Sequence, residues 1–308
     1  MNALPLLLAP LLVSAPQETA ADDRVRVAVA HDVSLSVRDT GEGPAVLLLT
    51  GGPGFAGTYF EPLAAELSTD FRVVLPDQRG SGRSKVDSYE QGFDFATFVA
   101  DLEAVRVALD LERWSLVGHS WGGLLSMAYA AEHPDRVVSL GLVGSAGIDA
   151  SFWATYQGNL MKRLDADSMT ELGSLRPTGQ TLDDMAEYSR AANRIMAAAM
   201  VADASLVERL RADFTPDNFN PRVALSMREM QSYDLRPKLA GWKRPTLLLQ
   251  GDQDPIGMDT AERTAEVLGG TIHVFEGVGH MSYLECPDEL SATLRAFLKA
   301  EAGAEKGQ

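Results

Sequence analysis

Residues 114–132 of the chain read WSLVGHSWGGLLSMAYAAE, and the interpretation of the other segments starts from them. Residues 114–117 are a short apolar run typical of a buried parallel strand. From Gly122 onward, apolar residues recur at helical spacing. Between them, residues 118–122 match G-x-S-x-G, a strand-to-helix turn so sharp that Ser120 is strained and its side chain projects outward. The alternative is a tight turn that contains a serine by chance, but the strand before it and the helix after it favour the strained turn.

Other segments repeat this rhythm of strand, loop and helix. Residues 24–30 and 33–38 alternate apolar and polar side chains, which predicts an antiparallel hairpin at a sheet edge. Continuous apolar runs predict buried strands over residues 45–49, 71–75, 137–143, 245–250 and 271–276. Helical spacing predicts helices over residues 59–67, 95–109, 260–268 and 287–300. The alternation predicts an α/β fold with a mostly parallel sheet and helices on both faces.

The rhythm stops at Gly144 and resumes only near Pro245. Residues 145–241 are rich in Ala and Met, have helical spacing and contain no strand pattern. In an open α/β sheet, ligands bind at the carboxyl ends of the strands. An insertion between two strands at that edge is positioned as a lid. We therefore expect residues 23–144 and 242–301 to form one core domain, with residues 145–241 as a helical cap.

Composition excludes several classes of function. The 308 residues carry a net charge of −16, which is unfavourable for a nucleic-acid surface because phosphate neutralisation needs clustered Lys and Arg. A single cysteine, Cys286, excludes an internal disulfide and a thiolate-rich metal site. No nucleic-acid partner is therefore expected. The motifs described below, and not the composition, predict a small molecule or a short peptide as the partner, and the sequence does not indicate an oligomeric state.

The first residues form a segment of their own. Residues 1–15 are mostly apolar, too short to span a bilayer, and end in small residues that suit a signal peptidase. No Lys or Arg precedes the apolar run, which argues against a signal peptide. We treat residues 1–22 as a signal peptide or a disordered segment, and favour a secreted or periplasmic protein over a cytoplasmic one.

The residues with catalytic chemistry follow strand ends. A serine hydroxyl needs a base to take its proton, and that base needs a third group to orient it. Among five histidines, His280 lies in a loop directly after the last predicted strand, from which it can reach Ser120. His119, next to the serine, is expected to point away from it. Asp252 and Asp254 compete as the orienting acid, and we choose Asp254 because Asp252 is placed to tighten the turn.

A tetrahedral intermediate also needs two fixed donors for its oxyanion. One is expected to be the Trp121 N–H, at the start of the helix after Ser120. The other is expected to be the Gly52 N–H, in a glycine-rich loop after the strand that ends at Leu49. The alternative is an ordinary glycine-rich turn, but several such loops converge on one sheet edge. No cofactor and no metal is expected.

These motifs resemble a known family. GGPG at residues 51–54, DQRGSGRS at 77–84 and GHSWGG at 118–123 are similar to motifs of the proline iminopeptidases, serine aminopeptidases of the α/β-hydrolase superfamily. The resemblance covers nearly all of the chain after residue 22 and implies the α/β-hydrolase fold with a helical lid. Two positions depart from that family's pattern, Thr50 where His is usual and His119 where Gly is usual. His119 is shared with many esterases.

The resemblance implies a lid carboxylate that holds the free α-ammonium of the substrate. Glu229 falls roughly where such a residue is expected, and the alternative is a solvated helix charge. Asp183, Asp184 and Glu187 are weaker candidates.

The expected activity is therefore that of a serine hydrolase that works through an acyl-enzyme. The first interpretation is an aminopeptidase that releases N-terminal Pro or a small residue. The second is a carboxylesterase, lactonase or other acyl hydrolase with the same triad. A non-enzymatic binding module is disfavoured because Ser120, Asp254 and His280 are all present.

Overall fold

The strands of this computed structural model form a single sheet. The structure describes residues 24–31 and 33–305, so the predicted leader over residues 1–22 lies outside the described residues. Within them the sheet has eight strands. Their bounds are β1 Arg24–Ala28, β2 Ser34–Thr40, β3 Ala45–Leu49, β4 Arg72–Pro76, β5 Trp114–His119, β6 Val137–Val143, β7 Thr246–Gly251 and β8 Thr271–Phe275.

The sheet order is β1-β2-β4-β3-β5-β6-β7-β8. Only β2 runs against its neighbours, since it pairs antiparallel with β1 and β4, and the pairs from β4 to β8 are all parallel. The predicted edge hairpin and the mostly parallel sheet are both confirmed. The parallel part brings the carboxyl ends of β3, β5, β7 and β8 to one edge, where a ligand site is expected.

The same described residues contain twelve α-helices. They are α1 Glu61–Leu67, α2 Phe95–Ala108, α3 Trp121–Glu132, α4 Phe152–Arg163, α5 Ala166–Ser174, α6 Leu182–Met200, α7 Val207–Arg211, α8 Arg222–Ser226, α9 Arg236–Leu239, α10 Met258–Leu268, α11 Ser282–Glu285 and α12 Pro287–Glu305. Among the helices of this part of the chain, none combines the length and apolar character that a bilayer crossing requires.

Helices cover both faces of the sheet. Helices α2, α3 and α10 pack on one face around a core that includes Trp114, Tyr129 and Leu140. Helices α1 and α12 pack on the other face against Phe71, Val117 and other buried residues. With both faces buried, the central strands must be apolar on both sides, which explains why they are continuous apolar runs in the sequence.

The segment between β6 and β7 is helical, as expected for a lid. Helices α4 to α9 all lie in it. Helices α4 to α7 contribute to an apolar cluster that includes Leu160, Met200 and Leu210, and Phe55 and Met281 of the core join the same cluster. The buried residues Val223 of α8 and Leu239 of α9 belong instead to the core on the sheet. An isolated bridge pairs Phe55 with Phe219, so the loop after β3 contacts the helical segment directly. The division into core and cap at residues 145 and 241 stays a prediction.

The turn between β5 and α3 depends on the absence of side chains. A Cβ atom at Gly122 would lie 2.2 Å from the Leu49 carbonyl oxygen, and one at Gly118 would lie 2.2 Å from the Gly122 carbonyl oxygen. Backbone atoms cannot yield as a flexible side chain can, so only glycine lets the helix start this close to β3 and β5.

We expect Gly122→Ala to destabilise the protein by about 1–3 kcal/mol, because the added methyl group must displace the backbone of β3. The free energy of unfolding is measured by chemical denaturation. Gly158→Ala is the matched control, since Gly158 lies in α4 with no neighbouring atom within 4 Å of its added Cβ. In a helix interior this change stabilises by about 0.5–1 kcal/mol. Equal effects of the two substitutions would contradict the steric explanation.

Candidate active site

Ser120 has the strained conformation that its motif predicts. Its φ is 54° and its ψ is −117°, a region that residues with a side chain rarely adopt. The Ser120 N–H donates to the Val143 carbonyl, and the Ser120 carbonyl accepts from the N–H groups of Gly123 and Ala146. These bonds to the helix and to the end of β6 hold the serine in this conformation at the start of α3.

His280 and Asp254 lie side by side at the same sheet edge. The Nδ1 atom of His280 is 3.0 Å from each carboxylate oxygen of Asp254. His280 is 4% exposed and the Asp254 side chain is 0% exposed. Asp252 is exposed, and its Oδ1 accepts the Gly277 N–H at 2.8 Å. The structure therefore brings Asp254 to His280, while Asp252 joins the loop after β7 to the loop after β8.

A small cavity of about 70 Å³ lies beside His280 at this edge of the sheet. Ser120 and His280 both line it, together with residues from the loop after β3 and from the helical segment. Six of its fourteen lining residues are Phe or Tyr, so much of its wall is aromatic. The lining residues are Gly51, Gly52, Phe55, Tyr59, His119, Ser120, Tyr156, Asn193, Met200, Phe214, Phe219, His280, Met281 and Tyr283.

The loop after β3 contributes Gly51, Gly52 and Phe55 to the lining of this cavity. The Gly51 N–H donates to Tyr59 Oη, so it is not available to a ligand. Within residues 24–31 and 33–305, no hydrogen bond uses the N–H of Gly52 or of Trp121. Gly52 has a φ of 115°, a conformation that favours glycine. These two N–H groups are the ones that the sequence selects as oxyanion donors.

Glu229 does not face this cavity, and the expectation that it does is wrong. Its side chain is exposed, and its Oε2 accepts the N–H of Phe95, the first residue of α2, at 3.0 Å. It lines a separate, open groove between α2, α3 and α9. A carboxylate is stabilised by the free N–H groups at a helix start, so Glu229 caps α2 instead of approaching Ser120.

His119 was expected to point away from Ser120, and this is also wrong. Its ring lies 4.8 Å from the ring of His280 and lines the same cavity. Burial, and next the neighbouring His280, lower the pKa of His119 to about 3, so its ring is neutral. Its Nε2 lies 2.9 Å from the His280 carbonyl and its Nδ1 lies 3.0 Å from Tyr59 Oη. With both nitrogens occupied, His119 is not free to take a proton from the serine.

Sequence reasoning missed the role of Gln78. Its Nε2 donates to the Thr50 carbonyl at 2.9 Å, and its Oε1 accepts the Trp121 indole N–H at 2.8 Å. Gln78 therefore connects the loop after β3 to the first residue of α3. Its position within the DQRGSGRS motif was the only available signal, because hydrogen bonds between distant segments leave no periodicity in the sequence.

Two other residues of that motif, Asp77 and Arg79, join its loop to neighbouring segments. The Asp77 carboxylate accepts the N–H groups of Gly57 and Arg83, at 2.8 and 3.0 Å. Arg79 donates to both carboxylate oxygens of the buried Asp101, at 2.9 and 2.5 Å.

In the described part of the chain, no cluster of three or more His, Cys, Asp or Glu side chains could hold a metal ion.

Comparison with known proteins places this geometry in a family. A family model described as alpha/beta hydrolase fold matches residues 44–287. The chain belongs to the α/β-hydrolase fold family. It is 30% identical over 278 residues to the proline iminopeptidase of Lactobacillus helveticus (strain DPC 4571), a match that covers 85% of this chain and 92% of the relative. The predicted resemblance to proline iminopeptidases is confirmed, and the protein is a hydrolase.

Solved structures share the fold over nearly the whole chain. The esterase from Exiguobacterium antarcticum is 24% identical with a TM-score of 0.69, covering 89% of this chain and 99% of its own. The proline iminopeptidase from Mycobacterium smegmatis is 22% identical with a TM-score of 0.68, covering 92% of this chain and 99% of its own. At these identities the likeness concerns the fold alone, so it does not choose between an esterase and a peptidase.

We expect Asp254→Asn to lower kcat by about 10³- to 10⁴-fold, because an amide does not hold the His280 tautomer or stabilise its protonated ring. Asp252→Asn is the matched control: it changes an exposed carboxylate two residues away, and kcat should stay within about twofold. Both variants are assayed on one chromogenic substrate after thermal unfolding has shown that they fold. The opposite ranking would mean that Asp252 is the orienting acid.

Proposed function

We propose that the protein is a serine hydrolase that works through an acyl-enzyme and releases N-terminal Pro or another small residue from peptides. The observation that supports it most directly is that Ser120 and His280 line one cavity while the Nδ1 of His280 is hydrogen-bonded to Asp254. A histidine oriented through Nδ1 keeps Nε2 for the serine proton. The match to proline iminopeptidases over most of the chain supports the choice of substrate.

The proposed reaction assigns a role to each group. Ser120 Oγ attacks the carbonyl carbon of the scissile bond and gives its proton to His280 Nε2, while Asp254 stabilises the protonated ring. The N–H groups of Gly52 and Trp121 donate to the oxyanion. His280 then protonates the leaving amine as the acyl-enzyme forms. A water molecule, deprotonated by the same histidine, releases the acyl group and restores Ser120.

The shape of the cavity agrees with a small substrate group. Its volume of about 70 Å³ leaves little room beside the nucleophile, and its aromatic wall suits an apolar side chain. Residues from the helical segment, among them Tyr156, Phe214 and Phe219, form much of that wall. The helical segment would therefore determine which substrate groups fit the cavity, as expected for a lid.

A second function, hydrolysis of small esters, is favoured by one specific observation. Among the described residues that line the cavity, none is Asp or Glu. A free α-ammonium desolvated there without a carboxylate partner costs several kcal/mol. A neutral ester does not have that cost. The two functions share the triad and differ only in whether a positive charge must be held near Ser120.

Ser120→Ala is expected to lower kcat by several powers of ten without unfolding the protein, because a smaller side chain fits the strained turn. Ser126→Ala is the control, since Ser126 is a buried serine of α3 that donates to the Gly122 carbonyl. The rates of both variants are measured on prolyl-naphthylamide and on p-nitrophenyl acetate, and folding is checked by circular dichroism. Substantial residual activity in a folded Ser120→Ala variant would remove the serine mechanism.

The substrate class is tested by removing the charge on the amine. We expect prolyl-naphthylamide to be hydrolysed with a kcat/KM at least about 10-fold above that of its N-acetylated form, because acetylation removes the ammonium that an aminopeptidase binds. The p-nitrophenyl ester of acetic acid is measured beside them. Efficient ester hydrolysis with no preference for the free amine would establish the esterase instead.

A further inference from the structure

A line of partly to fully buried hydrogen bonds runs through three loops at the cavity. The Gly51 N–H donates to Tyr59 Oη. Tyr59 Oη lies 3.0 Å from His119 Nδ1, and His119 Nε2 lies 2.9 Å from the carbonyl oxygen of His280. We name this line, from the Gly51 N–H to the His280 carbonyl, the Tyr59–His119 chain.

The direction of every bond in the chain is determined by its two ends. A backbone N–H can only donate, and a carbonyl can only accept. His119 Nε2 must therefore carry the proton of the neutral ring, because it faces the His280 carbonyl. His119 Nδ1 is then an acceptor, and it receives the Tyr59 O–H, whose oxygen receives the Gly51 N–H. Only one arrangement of protons satisfies all the groups.

Burial maintains that arrangement. His119 is 3% exposed, and burial lowers its pKa to about 3, which keeps the ring neutral. Burial raises the pKa of Tyr59 well above its ordinary value, which keeps the phenol protonated. Each side chain therefore both donates and accepts one hydrogen bond. Tyr59 does so through its single oxygen, and His119 donates through Nε2 and accepts through Nδ1. Hydrogen bonds in such surroundings are stronger than in water, and their loss leaves unpaired polar groups.

Each contact of the chain lies at or beside a group with a proposed role. Gly51 directly precedes Gly52, whose N–H is a proposed oxyanion donor. His119 directly precedes Ser120. The carbonyl at the end of the chain belongs to His280 itself. The chain thus connects the oxyanion loop, the nucleophile turn and the histidine loop, which come from β3, β5 and β8.

We propose that Tyr59 and His119 are positioning residues that set the Gly52 N–H and the His280 ring relative to Ser120. This rests on the proposed function, because it assumes those roles for Gly52, Ser120 and His280. Neither side chain needs to touch the reacting atoms. Misplacement of catalytic groups by about 1 Å costs up to about 10²-fold in rate, so loss of the chain should affect kcat more than substrate binding.

The central test is Tyr59→Phe, which removes one hydroxyl and keeps the ring that stacks on Tyr283 at 4.4 Å. We expect kcat to fall by about 10- to 100-fold while KM stays within about twofold. The inhibition constant of propylboronic acid should rise by the same factor as kcat falls, because it adds to the serine as a tetrahedral adduct that needs the same oxyanion donors. His119→Leu, which removes both ring nitrogens, should give a similar loss.

Two comparisons separate positioning from stability. Tyr129→Phe removes another buried tyrosine hydroxyl, one that donates to Glu103 at 2.7 Å in α2 and does not line the cavity. It should lower the unfolding temperature and leave kcat and the boronic acid constant unchanged. The double variant Tyr59→Phe with His119→Leu should lose no more activity than the worse single variant. Either substitution alone already interrupts the Tyr59–His119 chain of hydrogen bonds, so the second removes nothing further.

The outcomes distinguish this inference from the proposed function. If the wild type hydrolyses neither substrate class, or if Ser120→Ala remains active, the proposed function is wrong, and the inference that rests on it is wrong as well. If Ser120 is essential while both Tyr59→Phe and His119→Leu keep wild-type kcat, only the inference is overturned. A rise in KM alone, or multiplicative losses in the double variant, would also overturn it, because the two residues would then act as separate cavity walls.

Discussion

The close approach of α3 to β3 and β5 is the constraint on which the rest of the site depends. The carbonyl of Leu49 occupies the space where a side chain of Gly122 would be, so the helix begins almost in contact with the sheet. Ser120 is forced into a strained conformation, and its side chain has only the open edge of the sheet to point to. A strained residue persists only where its surroundings over-determine it, and here bonds to Val143, Gly123 and Ala146 do so.

The loops beside the serine turn are also fixed in position by hydrogen bonds. Gln78 ties the loop after β3 to Trp121, and Arg79 is bound to Asp101 inside the core. A buried ion pair of this kind is weak evidence for stability, because the desolvation of both charges offsets their attraction. Its bidentate geometry does restrict the position of the loop that carries Gln78. Through Gln78, the DQRGSGRS motif therefore restricts the position of the loop after β3 relative to the start of α3.

The sequence predicted the sheet well because burial on both faces makes parallel strands continuous apolar runs. The bounds of β3 and β6 agree with the prediction, and the ends of the other strands differ from it by at most two residues. Asp254 could be preferred to Asp252 because it lies further from the end of β7, where it can reach the loop after β8, and the structure places it against His280. Glu229 and His119 were misplaced because their partners, Phe95 and Tyr59, lie far away in the sequence. Periodicity reports which face of an element is buried, and it contains no information on which distant polar group that face meets.

The histidine loop is held by the helical segment as well as by the core. The His280 N–H donates to the Met200 carbonyl at the end of α6, at 2.7 Å. The Glu285 carboxylate accepts the Gly279 N–H at 3.0 Å on one oxygen and the Ala202 N–H at 2.6 Å on the other. A movement of α6 away from the core would break these bonds and change the backbone of His280. The segment that forms part of the cavity wall and the residue proposed as the base are therefore joined by direct hydrogen bonds, so the position of one constrains the position of the other.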